Sequence, residues 1–296
     1  MRVEFGPAER ACAERLIEAA LAEDLGDAGD VTSRALIGEA ERGAVLVSAR
    51  QPGVLAGGPV ARLVFARLDP RVEWRPLLDD GATFGTGTVV AEVAGPVRSL
   101  LAGERAALNF LTRLSGVASA TRQYVEAIAG TRARILDTRK TLPGWRALDK
   151  YAVRAGGGTN HRAGLFDAVL IKDNHLAAWA RSGGEQRSLA AAVRRAREHA
   201  PSGMPVEVEV DTLAELEAAL AAGPDVVLLD NMPLDVLREA VRRRDAAAPG
   251  VLLEASGGVT LATVRGIAET GVERISVGAL THSAPAIDLA FDWATA

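Results

Sequence analysis

From about residue 132 onward the chain repeats one pattern, in which a short run of Val, Ile and Leu is followed by a stretch with helical periodicity. The apolar runs are RILDTR, AVLIKDN, VEVEVD, VVLLDN, VLLEASGG and RISVGA. Nearly continuous apolar runs that alternate with helices of roughly 10–15 residues predict parallel βα units. Six units at this spacing predict a TIM-like barrel, complete or incomplete, and an open doubly wound sheet is the competing architecture.

The chain before about residue 112 has a different pattern. It begins with a helical stretch that Gly26 ends, and the strand-like pieces RGAVLVSARQPGVLAG, VEWRPLL and GTVVAEVAGPVRSLL follow, with one short helix in GPVARLVFARL. Strands with few helices between them predict a separate α+β module. The segment GERAALNFLTRLSGVASATRQYVEAIAG then predicts a long helix that links the two halves, with Ser115–Gly116 as a point where it could break.

Composition and charge narrow the class of protein. Apolar residues make up 48% and charged residues 24%, which is the profile of an ordinary globular protein. A formal net charge of −4 argues against a dedicated nucleic-acid surface or a surface for acidic membranes. The single cysteine, Cys12, excludes an intrachain disulfide and is expected to be an inert apolar residue. With no apolar h-region near the N-terminus and no long apolar run, we expect a soluble cytoplasmic protein.

The strongest functional signal is that the apolar runs end in polar residues, one run after another. Because the site of a βα barrel forms at the carboxyl ends of its strands, these residues predict a functional rim. The strand-end residues are Asp137, Arg139, Lys140, Lys172, Asp173, Asn174, His175, Glu207, Glu209, Asp211, Asp230, Asn231, Glu254, Ser256, Gly257, Gly258 and Gly278.

Charge divides this rim into two parts. The early strands supply cations, to which GGGTNHRAG adds His161 and Arg162, and Arg and Lys suit carboxylate and phosphate groups. The three successive glycines predict either a close approach of the backbone to a ligand, the favoured interpretation, or a mobile loop. The later strands supply carboxylates, which suit ribose hydroxyls or Mg²⁺, while SGG and VGA match the phosphate site that follows the last strands of many barrels. The rim therefore predicts a site for a phosphosugar and a second anion.

The segment LDTRKTLPGWRALDKYAVRAGGGTNHRAGLFDAVLIKDNH, residues 136–175, resembles the signature of the quinolinate phosphoribosyltransferase family. EDLGDAGDVTS, GERAALNFLTRLSGVAS, VEVEVDTLAE, VVLLDNM and EASGGV extend the resemblance, in order, over nearly the whole chain. Two departures, Trp145 in place of a smaller aliphatic residue and Ala155 in place of a frequent Cys, remove no charge that the chemistry needs.

The resemblance implies an α/β fold with an N-terminal α/β sandwich domain, residues 1–112 with a linking helix to about residue 130. An open TIM-like α/β barrel would follow over residues 113–296, with a C-terminal tail that returns to the first domain. It also implies a homodimer, or a larger assembly of dimers, with shared active sites. The expected reaction uses Mg²⁺ and converts quinolinate and 5-phosphoribosyl 1-pyrophosphate to nicotinate mononucleotide, pyrophosphate and CO₂, a step of NAD biosynthesis. A paralogous phosphoribosyltransferase that acts on another small anionic base is the alternative.

The resemblance also assigns roles to residues. The expected partners of quinolinate are Arg105 from the neighbouring subunit, Arg139, His161, Arg162 and Lys172. The expected partners of phosphoribosyl pyrophosphate are Lys140, Glu209, Asp230, Ser256, Gly257, Gly258 and Gly278. Lys140, Glu209 and Asp230 are the expected catalytic residues, and the last two are the expected contacts to Mg²⁺.

Overall fold

The computed structural model describes residues 3–181 and 188–294. The helices are α1 Pro7–Leu25, α2 Val31–Leu36, α3 Gly58–Leu68, α4 Val97–Ala127, α5 Arg146–Ala155, α6 Asp173–Arg181, α7 Leu189–His199, α8 Leu213–Ala222, α9 Leu234–Ala247, α10 Val264–Ala268 and α11 Ala279–His282. The strands are β1 Arg42–Ala49, β2 Gly53–Val54, β3 Glu73–Pro76, β4 Thr83–Phe84, β5 Val89–Pro96, β6 Arg134–Leu136, β7 Val169–Ile171, β8 Val206–Val210, β9 Val226–Asp230, β10 Leu252–Ser256, β11 Arg274–Ser276 and β12 Leu289–Trp293. None of the helices within the described ranges is both long and apolar enough to cross a bilayer.

The chain divides into two compact units that are not continuous in sequence. The N-terminal unit contains Met1–Arg122, Lys140–Gly158 and Ala279–Ala296, and the parallel-sheet unit contains Gln123–Arg139 and Thr159–Gly278. The segment Lys140–Gly158 therefore belongs to the N-terminal unit, although it is flanked by parts of the other unit in sequence.

The parallel-sheet unit contains the six predicted strands, hydrogen-bonded in the order β6-β11-β10-β9-β8-β7. Every pair in it is parallel. From β7 to β11 each strand lies beside its neighbour in sequence, and β11 lies beside β6, which is the cyclic order of a barrel and not the reversed order of a doubly wound sheet. The opening falls between β6 and β7, where Thr159 forms an isolated parallel bridge with Leu136.

The N-terminal unit is built on an antiparallel sheet with the order β12-β1-β5-β3. Residues of β1 alternate between the two sides of the sheet, and its buried residues include Val45, Val47 and Ala49. The C-terminal strand β12 pairs with β1, from Val45↔Trp293 to Ala49↔Leu289. The last strand of the chain thus completes the sheet of the N-terminal unit.

The linking helix α4 is unbroken from Val97 to Ala127, so the break that Ser115–Gly116 could have produced does not occur. Both residues serve packing within the N-terminal unit. The Ser115 hydroxyl accepts a hydrogen bond from the Ala56 amide at 3.1 Å. A Cβ at Gly116 would lie 2.1 Å from the Pro285 carbonyl oxygen, so glycine is required because a second chain segment passes directly over the helix.

The glycine triplet after α5 also serves helix packing. A Cβ at Gly156 would lie 2.4 Å from the Ala118 carbonyl oxygen, and a Cβ at Gly158 would lie 2.8 Å from Thr121 Cγ2. Only Gly157 among the three has a positive φ, +91°. Gly156 and Gly158 therefore have a packing role, since they allow α4 to approach closely, and the approach of this backbone to a ligand stays a prediction.

Cys12 behaves as the sequence predicts. Its side chain is buried in α1 and forms no disulfide. Its thiol donates to the Gly144 carbonyl oxygen at 3.0 Å, and burial raises its pKa. A thiol that is kept protonated is a poor nucleophile.

Candidate active site

The strand register of the parallel-sheet unit collects the predicted polar residues on one face. Glu209 pairs with Leu228, Leu228 with Glu254, and Glu254 with Arg274. Because paired residues point to the same side and every second residue of a strand does so too, Glu207 joins them. The same period adds Lys172, Asp230 and Ser256 toward the carboxyl ends of the strands. Two-residue alternation thus explains why acids appear at every second position of VEVEVD.

The segment after β6 is held by a buried carboxylate. Asp137 is fully buried; it accepts hydrogen bonds from Asn160 Nδ2 at 2.7 Å and from the His161 amide at 2.8 Å. Arg139 follows Asp137 by two residues, and Arg162 directly follows His161. Asp137 therefore ties together the two segments of chain that carry these predicted cations.

The guanidinium groups of Arg139 and Arg162 lie close enough for their charges to interact. Burial lowers the pKa of Arg162, and the positive charge of Arg139 lowers it further, while Glu207 and Asp167 act in the opposite direction. Arg162 Nη1 also donates to the Ala168 carbonyl oxygen at 3.1 Å. Two like charges held close together are repulsive, and a doubly charged anion would relieve that repulsion.

His161 lies deeper than the arginines, and its side chain is only 9% exposed. Its Nε2 atom is 3.1 Å from Glu207 Oε2 and 3.3 Å from Glu254 Oε1. Its Nδ1 atom accepts a hydrogen bond from the Arg162 amide at 2.7 Å. Both ring nitrogens therefore have partners inside the protein, and burial lowers the pKa of His161 while the two carboxylates outweigh burial and raise it to about 9.

The side chains of Lys172 and Glu209 form an ion pair across β7 and β8. His175 Nδ1 accepts a hydrogen bond from the Lys172 amide at 3.0 Å, at the start of α6. His175 therefore stabilises the turn that follows β7, and its contact is with the backbone of the predicted cation.

Carboxylates gather at the ends of β8 and β9. Desolvation raises the pKa of Asp211, and the negative charges of Glu215, Asp230 and Asp173 raise it further. A cation at this position would remove the repulsion, and carboxylate oxygens are the ligands that Mg²⁺ prefers. Asp230 belongs to this group as the sequence predicts, whereas the described contact of Glu209 is with Lys172.

The end of β10 lies directly against the end of β9. The Asn231 amide donates to the Ser256 carbonyl oxygen at 2.9 Å, and a Cβ at Gly257 would be 2.2 Å from Asn231 Oδ1. Gly257 and Gly258 have φ values of +92° and +58°, and Asn231 has a φ of +51°. Backbone in this unusual region is typical of ligand-binding turns. Gly278 lies two residues beyond β11, at the end of the parallel-sheet unit.

Two predicted site residues belong to the N-terminal unit. Arg105 is exposed on α4 and lines a cavity of ≈ 190 Å³ together with residues of α1. The other residues that line it are Ala20, Glu23, Asp24, Ala106, Asn109, Phe110 and Trp145. Lys140 follows Arg139 in the chain, and its carbonyl oxygen accepts a hydrogen bond from Thr281 Oγ1 at 2.7 Å.

Sequence reasoning placed Glu207 and Glu254 on the rim without a role, and it missed Arg274. Arg274 Nε donates to Glu254 Oε2 at 2.6 Å, so Arg274 neutralises a carboxylate that is fully buried. The signal for Glu207 and Glu254 in the sequence was an acidic residue within an otherwise apolar strand. Arg274 begins its strand, so no strand-end pattern could have revealed it.

Comparison with known proteins agrees with this arrangement. Residues 30–115 match the family model "Quinolinate phosphoribosyl transferase, N-terminal domain", and residues 117–292 match the model of its C-terminal domain. The carboxylating nicotinate-nucleotide pyrophosphorylase of Mycobacterium leprae is 46% identical over 280 residues, which cover 93% of this chain and 95% of that protein. A probable enzyme of the same name from Bacillus subtilis is 42% identical, covering 94% and 92%.

Solved structures give the same result. The nicotinate-nucleotide pyrophosphorylase of Francisella tularensis superposes with a TM-score of 0.89 at 39% identity, covering 99% of each chain. The structure titled NadC from Streptococcus pyogenes also has a TM-score of 0.89, at 38% identity and with 99% of each chain covered. Matches that span both units, in sequence and in structure, assign the family: the chain belongs to the quinolinate phosphoribosyl transferase family.

Proposed function

We propose that the strand-end rim of the parallel-sheet unit is where this chain carries out the reaction of its family. The chain transfers the phosphoribosyl group of 5-phosphoribosyl 1-pyrophosphate to quinolinate, and nicotinate mononucleotide, pyrophosphate and CO₂ are formed. The observation that supports this site most strongly is its division of charge. Arg139 and Arg162 lie close enough for one charge to lower the pKa of the other, while Asp211 and Asp230 gather at the ends of the next strands.

The cationic part of the rim suits quinolinate, which is a dicarboxylate. A guanidinium binds a carboxylate with two parallel hydrogen bonds, so the pair Arg139 and Arg162 matches two carboxylates on one ring. Lys172 adds a third positive charge, and Glu209, its ion-pair partner, would orient it until substrate arrives. A base with a single carboxylate would leave one of these cations without an anion, which is a physical basis for specificity.

The acidic part suits the phosphoribosyl donor. Asp230 and Glu209 would accept hydrogen bonds from ribose hydroxyls, and their negative charge would stabilise an oxocarbenium-like transition state. The backbone from Ser256 to Gly258, in which Gly257 and Gly258 have positive φ, would expose amide groups to the 5′-phosphate.

Mg²⁺ is part of the proposal because the carboxylates fit it. Desolvation and the neighbouring carboxylates of Glu215, Asp230 and Asp173 raise the pKa of Asp211, and a divalent cation would offset that clustered negative charge. Asp230 would hold the ion, with Asp211 beside it, and Glu209 would take part only after release from Lys172. When bound, Mg²⁺ would neutralise charge on the departing pyrophosphate.

In the proposed reaction order pyrophosphate departs first and the pyridine nitrogen then captures the anomeric carbon. The resulting pyridinium stabilises the ring carbanion that loss of the adjacent carboxylate leaves behind. No covalent bond to the protein is needed, so the contribution of the chain is positioning and electrostatic stabilisation. Lys140, between the two substrates, would supply charge to both.

The finer statements about assembly and location are also proposals. We infer a homodimer, or an assembly of dimers, in which Arg105 of one subunit completes the site of the other. The exposure of Arg105 on α4 and its place at the edge of a cavity support this role, because a guanidinium turned outward can reach a second chain. A cytoplasmic location agrees with a single cysteine that forms no disulfide.

The experiment that tests the proposed function measures release of labelled CO₂ from carboxyl-labelled quinolinate in the presence of 5-phosphoribosyl 1-pyrophosphate. Nicotinate replaces quinolinate in the control, with pyrophosphate release as the common measurement. We expect CO₂ and pyrophosphate in equal amounts with quinolinate, and turnover at least about 100-fold lower with nicotinate, since an unmatched buried cation costs about 3 kcal/mol. Preferred turnover of nicotinate would favour the alternative, a paralogous transferase for another small anionic base.

A further inference from the structure

Asn231, the residue that follows β9, has a backbone conformation that favours glycine, and yet it carries a side chain. Its φ is +51°, and within the part of the chain that the structure describes every other residue with a positive φ is a glycine. Asn tolerates this left-handed region better than most residues do, but glycine adopts it without steric cost. Strained residues in strand-end turns are typical of functional sites, so we expect the Asn231 side chain to have a role that glycine could not fill.

The Asn231 side chain is not the cap of the helix that follows. The N-cap residue of α9 is Pro233, which forms no side-chain hydrogen bond with the helix end. Asn231 Nδ2 instead donates to Asp230 Oδ2 at 2.7 Å. Because an ionised carboxylate only accepts hydrogen bonds, the nitrogen of the amide must face it, and the orientation of the Asn231 amide is thereby fixed.

The turn after β10 holds Asn231 in place. A Cβ at Gly257 would lie 2.2 Å from Asn231 Oδ1, 2.5 Å from its Cγ and 2.8 Å from its Nδ2, so the whole amide group packs directly against the Gly257 backbone. The main-chain amide of Asn231 donates to the Ser256 carbonyl oxygen at 2.9 Å. Asn231 therefore connects the carboxylate that is proposed to bind ribose hydroxyls with the turn that is proposed to bind the 5′-phosphate.

We propose that Asn231 is a positioning residue, which acts on the phosphoribosyl group through Asp230. The hydrogen bond to Oδ2 restricts rotation of the carboxylate, so its remaining lone pairs are oriented before ribose arrives. This inference rests on the proposed function, in which Asp230 accepts hydrogen bonds from ribose hydroxyls. It assigns a role to Asn231, which the sequence placed on the rim without one.

The two proposed ribose-binding acids have partners of different charge. The described contact of Glu209 is an ion pair with Lys172, which offsets the charge of the acid. The Asn231 amide is neutral, so it orients Asp230 and leaves the net negative charge of that carboxylate in place. A negative charge that is oriented but not neutralised can stabilise an oxocarbenium-like transition state.

The first test is the variant Asn231→Gly, studied as the full chain. Glycine relieves the backbone strain and removes only the amide, so we expect the urea midpoint of unfolding to stay within about 10% of the wild-type value. Affinity for nicotinate mononucleotide, measured by calorimetry without metal, should fall about 10-fold, because Asp230 loses a hydrogen bond that orients it. Quinolinate affinity should change less than about two-fold, because Arg139 and Arg162 are unaltered.

Two results with this variant would overturn the proposal. The first is an affinity for nicotinate mononucleotide equal to that of the wild-type chain. The second is a lower unfolding midpoint accompanied by parallel losses of affinity for nicotinate mononucleotide and for quinolinate, since that result would give the Asn231 side chain a structural role only.

Asn231→Asp is the matched control. It keeps the shape that packs against Gly257 and tolerates a positive φ, but it replaces the amide donor with a second carboxylate beside Asp230. At mildly alkaline pH, where carboxyl groups are ionised, we expect this variant to lose at least as much affinity for nicotinate mononucleotide as Asn231→Gly. Retained affinity would mean that the shape of the side chain, and not its hydrogen bond, supports the site, and the proposal would be wrong.

A double-mutant cycle separates an effect through Asp230 from a direct contact with the ligand. If the amide acts through the carboxylate, Asn231→Gly should cost less than about two-fold in affinity for nicotinate mononucleotide once Asp230→Ala is present. A further loss of about 10-fold in the Asp230→Ala background would show that Asn231 touches the nucleotide itself, which contradicts a positioning role.

Failure of this inference can be distinguished from failure of the proposed function. If the wild-type chain binds neither quinolinate nor nicotinate mononucleotide, the proposed function is wrong, and this inference is wrong with it. If the wild-type chain binds both ligands and Asn231→Gly binds them equally well, only this inference is wrong.

Discussion

At the scale of the residue, Gly257 and Gly258 are adjacent in sequence but differ in what their backbones require. Both have positive φ, which costs an L-amino acid about 1–2 kcal/mol. A Cβ at Gly257 would also lie 2.2 Å from Asn231 Oδ1, while a Cβ at Gly258 would meet nothing within 4 Å. The Asn231 side chain donates to Asp230 Oδ2 at 2.7 Å, so any atom that displaces it disturbs a predicted site residue.

We therefore predict that Gly257→Ala is much more harmful than Gly258→Ala. The first variant should lose about 2–4 kcal/mol of unfolding free energy, from backbone strain plus overpacking, and the second about 1 kcal/mol. Gly257→Ala should also raise the KM for 5-phosphoribosyl 1-pyrophosphate more than the KM for quinolinate, because Asp230 loses the Asn231 contact. Urea unfolding and steady-state kinetics measure both effects. Equal losses in the two variants would show that the contact with Asn231 is unimportant.

At the scale of the element, a buried network in the N-terminal unit fixes the backbone at Lys140. The Arg113 guanidinium donates to Asp149 Oδ1 at 3.2 Å and to the Thr281 carbonyl oxygen, and Thr281 Oγ1 donates to the Lys140 carbonyl oxygen at 2.7 Å. Asp149 and Thr281 are fully buried. Helices α4, α5 and α11 thus hold the start of the segment that carries a predicted catalytic lysine.

Removal of the Thr281 hydroxyl tests this network. We predict that Thr281→Val, which keeps the shape of the side chain, costs about 1–3 kcal/mol of stability and lowers kcat about 10-fold, because the Lys140 backbone loses an anchor. Thr281→Ser restores the donor and should recover most of the kcat. Thermal unfolding and kinetics measured together distinguish the two effects. If the Ser and Val variants are equally slow, the methyl group and not the hydrogen bond supports activity.

Features that depend on residues near one another in sequence could be predicted, and features that depend on distant partners could not. Alternation of short apolar runs and helices is a local signal, and it was sufficient for the six parallel strands and for the polar residues at their ends. The choice between a barrel and a doubly wound sheet depends on which strands pair, and it required the strand order of the structure. The unbroken α4, the packing of Gly156 and Gly158, and the pairing of Arg274 with Glu254 all depend on partners distant in sequence.

At the scale of the whole molecule, an experiment can distinguish sites that two subunits share from sites that each subunit completes alone. Arg105 and Lys140 both belong to the N-terminal unit, yet the proposal assigns Arg105 to the partner's reaction and Lys140 to its own. Arg105→Ala and Lys140→Ala should each be nearly inactive as pure proteins. In a mixed dimer of the two variants, one site would receive an intact Arg105 and an intact Lys140, while the other would lack both.

We therefore predict that unfolding and refolding the two variants together restores activity. Random pairing makes about half of the dimers mixed, and each has one complete site of two, so the recovered activity should be about a quarter of the wild-type value. Each variant refolded alone is the control, and sedimentation measures whether dimers form. A mixture that stays inactive although mixed dimers are present would mean that Arg105 acts within its own subunit, since every site would then lack one of the two residues.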